Sequence, residues 1–127
     1  MTRHPYVHEA EIELRAGVDP RAVGAAVTVA LCGHWEHEGP CRWPHNNQTQ
    51  EFQSSEFRLQ IGESQSQRLG FRTLFVCEPE EEPEVRAKIR AALHESRDWR
   101  VLADRERPIA ATEQELAGNL LLVPRRV

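Results

Sequence analysis

The chain has 127 residues, 39% of them hydrophobic and 28% charged, with a formal net charge of −4. That length suits one domain with a real core and is short for two. The negative balance argues against general affinity for nucleic acid, which depends on neutralising phosphates with Lys and Arg. No run approaches the ~20 apolar residues of a membrane-spanning helix.

All 16 basic residues except Lys88 are arginine. Together with the many alanines, this bias points to a GC-rich bacterial genome and weakens inferences from any single arginine. Three cysteines cannot all pair within one chain, and the start, Met1 to Tyr6, shows no apolar leader. The expectation is a cytoplasmic protein whose cysteines are thiols or ligands.

From His8 to Arg15 the chain alternates, with Ala10, Ile12 and Leu14 on one face and Glu9, Glu11 and Glu13 on the other. This is the period of a strand with one buried face. Asp19 as N-cap, Pro20 in the first turn and Gly33 as a left-handed stop bracket a helix. Its apolar stripe is Val23, Ala26, Val27, Ala30 and Leu31. Asn46 to Gln50 is polar and reads as a turn or loop, and a second strand is expected at Phe57, Leu59 and Ile61. A third, Leu69 to Cys77, sets Phe71, Phe75 and Cys77 on one face and Leu74 and Val76 on the other, so it should lie centrally.

The acidic run Pro79 to Glu84 suits the start of a second helix. That helix should bury Val85, Ile89, Ala92 and Leu93 and leave Arg86, Lys88, Arg90 and Arg97 outside. A short fourth strand is expected at Trp99 to Ala103. A last helix opens with Thr112 and Glu115 as a capping-box pair, carries Leu116, Leu120 and Leu121, and ends at Pro124.

This order resembles the split βαβ arrangement of ferredoxin-like domains. The fold expected is therefore α+β: a βαββαβ sandwich forming a single domain over 1–127. It carries a His/Cys-rich hairpin insert at about 33–50 and an extra C-terminal helix. Such a resemblance brings no function with it.

Chemistry concentrates in Cys32 to His45, which holds two of the three cysteines, three of the six histidines and two of the three tryptophans. His34, His37, Cys41 and His45 offer the imidazole nitrogens and thiolate that zinc takes, although the spacing is not that of an established zinc module. Glu38-Gly39-Pro40 is a turn signal. With a three-residue loop, His37, Cys41 and His45 share a face with Trp35 and Trp43; with a two-residue loop, His34 replaces His37. Glu36 or Glu38 could serve as general base beside a catalytic metal. Copper fits less well, because Met1 is the only methionine.

Two metal-free alternatives use the same stretch. Cys41, beside Arg42 and several histidines, could be an activated nucleophile. Alternatively the domain binds a protein or small ligand, with Trp35 and Trp43 as the contact surface. Cys32, Cys77 and His94 read as scaffold, and His4 and His8 as solvated residues near the terminus. Base stacking on the sheet, as in RNA-binding domains of this architecture, is disfavoured by Glu9, Glu11 and Glu13. Arg58 or Arg72 can pair with those glutamates. Because the third strand is apolar on both faces, either the insert or another subunit should cover the second one, and a homodimer through that face is expected.

Overall fold

A computed structural model of the chain describes residues 2–33, 42–51 and 67–123. Among these the elements run β1 (His4–Leu14), α1 (Arg21–Cys32), β2 (His45–Glu51), β3 (Gln67–Cys77), α2 (Glu82–His94), β4 (Trp99–Arg107) and α3 (Gln114–Leu121). The strands make one antiparallel sheet in the order β2-β3-β1-β4. The chain is thus α+β, with a four-stranded sheet and three helices among the described residues. Among the described residues no helix is long and apolar enough to cross a membrane.

β1 pairs with β3 over its whole length, from His4 opposite Cys77 to Leu14 opposite Gln67. Its alternation puts Ala10, Ile12 and Leu14 into a core with Leu69, Phe71 and Phe75 of β3, Val23, Val27 and Leu31 of α1, and Val85, Ile89 and Leu93 of α2. Burying each large apolar side chain contributes roughly 1.5–3 kcal/mol, so this layer dominates the stability. α1 ends as its sequence dictates: Gly33 adopts φ 81° and donates its N–H to Val29 O. Asp19 caps its start by accepting the Arg21 N–H at 2.9 Å.

The second apolar face of β3 finds its cover inside the chain. Ala117 of α3 packs on Val7 and Leu74, with Ile109, Leu116 and Leu120 around them. α3 starts later than its capping-box signal. Thr112 sits in a 3-10 turn, Ala111–Glu113, and the residue that turns back to the Ala110 N–H is Glu113, at 2.9 Å.

Further expectations are corrected. Asn46 to Gln50 is not a loop but most of β2, and His45 belongs to the same strand. An edge strand needs no apolar face when its inward side chains find polar partners on the helix, and Asn47 donates to Gly24 O at 3.0 Å and Thr28 Oγ1 at 3.1 Å. The stretch from His45 onward therefore belongs to the sheet rather than to an insert. Phe57 to Ile61 lies outside the described residues.

Arg86 does not point outward but is 4% exposed, and His8 is fully buried rather than solvated. Arg86 reaches across to β1 and hydrogen-bonds both Val7 O and the His8 ring, so each buried polar group satisfies another. Finally, Cys32 is not a thiol but disulfide-bonded. Cys77 is a free, buried thiol, which burial pushes up to about 12. A disulfide removes the chemical ground for inferring a reducing compartment.

Candidate functional site

Of the four expected metal ligands, His34, His37 and Cys41 lie outside the described residues, as does Trp35. His45 is 9% exposed at the start of β2, where it faces α1. Its Nδ1–H donates to Trp43 O at 3.1 Å, since a carbonyl can only accept. Its Nε2 meets the Thr28 hydroxyl at 3.1 Å, and that oxygen also accepts from Asn47. The Cys32 sulfur lies 3.8 Å from Nδ1. Both ring nitrogens are therefore engaged inside the protein, and binding a metal at Nε2 requires Thr28 to give way. Among the described residues no group of three or more His, Cys, Asp or Glu side chains is arranged to hold a metal ion.

Trp43 is not on a contact surface. It is 2% exposed and belongs to the core, with the Arg42 guanidinium 4.3 Å from its ring centroid and the Lys88 ammonium at 5.8 Å. Cations over an indole face are attracted by its quadrupole. Trp43 thus closes the edge of the core against α2.

Among the described residues, the outer sheet face beyond the edge of α3 carries rows of charged side chains. β1 offers a central row of Glu9, Glu11 and Glu13, flanked by arginines of β3 and β4. Glu9 pairs with Arg72 and, at 3.2 Å, with Arg107. Glu11 pairs with Arg68 at 3.8 Å and Arg105 at 3.1 Å, and Glu13 with Arg100 at 2.8 Å. A register shift between Glu11 and Ile12, with Leu102 as the extra residue of β4, sets Arg105 and Arg107 on this face and turns Asp104 inward.

Arg72 anchors the row. It donates to both Glu113 oxygens, at 2.8 and 2.6 Å, and to Glu9. The Glu113 hydrogen bonds hold Arg72 protonated beyond its ordinary range, and Arg72 in turn lowers the Glu113 carboxyl. α3 is thereby tied to the sheet.

Beside Arg72 the sheet is hollowed. Gly70 on β3 sits between Glu11 of β1 and Gln50 of β2, and with no side chain there a cavity of about 380 Å³ opens. Glu9, Glu11, Gln48, Gln50, Arg72 and Arg105 frame it. Carboxylates and guanidiniums are present in equal number, with two amides that can both donate and accept.

The sequence pattern pointed to the glutamate row but treated it as structural. The signal for the hollow was Gly70 within a strand pattern, which marks a bulge or a close approach of another group. The polar alternation of Gln48 and Gln50 was legible only once β2 was known. No protein-family profile matches the chain, and no curated protein or solved structure is significantly similar to it.

Proposed function

We propose that this chain is a metal-free binding domain whose site is the hollow over Gly70. The ligand it fits is a small zwitterion carrying a carboxylate and a cationic group, such as a free amino acid. The carrying observation is the lining itself, with both charge signs and two amides around one cavity. Exposed ion pairs are worth only ~0–1 kcal/mol each, so Arg105 and Glu11 can exchange each other for a ligand's carboxylate and ammonium at little cost. Free arginine and free glutamate are the probes, with acetate and ethylamine as their half-ligands. One of the zwitterions should raise the thermal midpoint and shift the Gly70 and Gln50 amide resonances. Arg105→Gln should weaken that response. No resonance shift for any zwitterion at millimolar concentration sinks the reading.

The fold that supports this is read as a ferredoxin-like βαββαβ sandwich followed by an extra helix, on the element order and the strand order. The single domain belongs to the same reading; the ground for a cytoplasmic setting falls with the disulfide, and α3 already covers the apolar end of the outer face on which a homodimer rested. Sedimentation showing only monomer at high concentration would remove the dimer.

A zinc site at His34, His37, Cys41 and His45 is the rival. It rests on residue types, and it requires His45 to leave Thr28. Elemental analysis of untagged protein decides it: less than a tenth of an equivalent of transition metal, with no gain after zinc addition, excludes the site. Thiol labelling of the denatured, unreduced protein should modify Cys77 but leave Cys32 unmodified.

A further inference from the structure

A second charged cluster lies on the inner face of the sheet, remote in character from the hollow. His8 projects from β1 toward α2 and is fully buried. Its sheet neighbours are Thr73 on β3 and Glu106 on β4. From α2, Glu82, Arg86, Arg90 and His94 supply the charged and titratable groups of this cluster; Asp104 and Glu106 do so from β4.

The geometry fixes the state of the ring. Arg86 Nη1 lies 3.0 Å from His8 Nδ1 and 2.9 Å from Val7 O. A guanidinium has donors only and keeps its charge in proteins, so Nδ1 must present a lone pair. The proton therefore sits on Nε2, which faces Asp104 Oδ1 at 3.3 Å. His8 is a neutral imidazole that accepts from a cation and donates to an anion.

Both outer members of this relay are committed elsewhere too. Arg86 Nε pairs with Glu82 at 2.7 Å and Glu106 at 3.6 Å, and its guanidinium stands 5.3 Å from the Phe75 ring centroid. Asp104 also accepts from Arg90 at 3.0 Å and His94 at 2.9 Å. Burial opposes its ionisation, but the hydrogen bonds from His94 and Arg90 prevail and hold its carboxyl at about 2.

We propose that His8 is an acid-released latch between β1 and α2. A second proton, on Nδ1, turns the Arg86 hydrogen bond into two facing cations, so Arg86 withdraws from β1 and the first turns of α2 detach from Tyr6 and Phe75. Burial, with Arg86 and Arg90, pushes the His8 pKa below its ordinary value, against the pull of Asp104.

The sign follows by linkage. The unfolded chain binds this proton first as pH falls, so the contribution of neutral His8 is fully present above about pH 6.5. It is lost progressively as pH drops below that value toward the native pKa. For one proton the limit is a tenfold loss of protection per pH unit, about 1.4 kcal/mol.

The test uses the full chain between pH 8 and 5. Protection factors for the Val85 to Ile89 amides should fall by up to about tenfold per pH unit below about 6.5, and the thermal midpoint should fall with them. His8→Gln keeps an acceptor for Arg86 and a donor for Asp104 without titrating, and its profile should be flat over this window. His94→Gln removes the other histidine on Asp104 and should leave the slope in place. A slope that survives His8→Gln, or vanishes in His94→Gln, overturns the proposal. If His8→Gln does not fold, imidazole 15N shifts in the unmodified protein decide the matter. A doubly protonated His8 with unchanged α2 protection overturns the latch; protonation in step with the loss of protection supports it.

Discussion

The two faces of one sheet carry the same side chains in different physical settings. On the outer face, Glu9, Glu11 and Glu13 meet five arginines across partly exposed, overlapping pairs. On the inner face, Arg86 and His8 are buried and hydrogen-bonded to each other, and Arg86 also donates to Val7 O. Exposed pairs exchange partners cheaply, while buried ones are costly to break because the orphaned group stays desolvated. A surface built the first way can accommodate a ligand. A cluster built the second way can respond only as a unit.

Arg86→Leu tests that contrast most severely. It removes the donor to Val7 O and His8 Nδ1 and leaves Glu82 without its closest partner. The expected loss is about 3 kcal/mol in denaturant unfolding. A loss under about 1 kcal/mol would place the inner cluster in the same class as an exposed pair. Leu74→Ala comes next, at about 2–3 kcal/mol. It opens a cavity under α3 beside Val7 and Ala117 and shows how far the outer face depends on its apolar end rather than on its charges.

The acid limb below the His8 window separates the faces again. Asp104 on the inner face and Glu113 on the outer both have lowered carboxyls. Their contributions are fully present above about pH 4, the unfolded range, and are lost as pH falls toward the native values. Asp104→Asn should flatten the limb more than Glu113→Gln does, because the Asp104 carboxyl is the one held down at about 2. Equal effects in acid titrations would remove the distinction between the two carboxyls.

These residues also show what was legible in the chain. The alternation of β1, the stripe of α1 with its Gly33 stop and the two-sided β3 are local patterns, and local patterns survive folding. β2 was missed because its inward residues, His45 and Asn47, are polar and gain their stability from hydrogen bonds to Thr28 and Gly24 O. No hydrophobic period records that. Arg86 and His8 were assigned to solvent for a related reason: each is costly to bury alone and acceptable only with the other. The candidate site had the same fate. The cluster of Cys and His drew the eye by residue type, while the hollow over Gly70 exists only through the register of three strands.

The smallest expected effect is also the sharpest probe of the outer face. Arg100 pairs with Glu13 at 2.8 Å, with its side chain 72% exposed. Arg100→Gln should change stability by less than about 0.5 kcal/mol, because a single exposed pair gains little over hydrated charges. Arg72→Gln should cost more, about 1–2 kcal/mol, since that guanidinium joins Glu9 to both oxygens of Glu113 and so ties β3 to α3. In 1 M salt, where the screening length shrinks to about 3 Å, the Arg100 effect should vanish and the Arg72 effect should largely persist. If both fade together, the row is a screened surface ladder throughout, and α3 is held by its apolar contacts and by the Arg3 hydrogen bonds to Leu121 O and Val123 O.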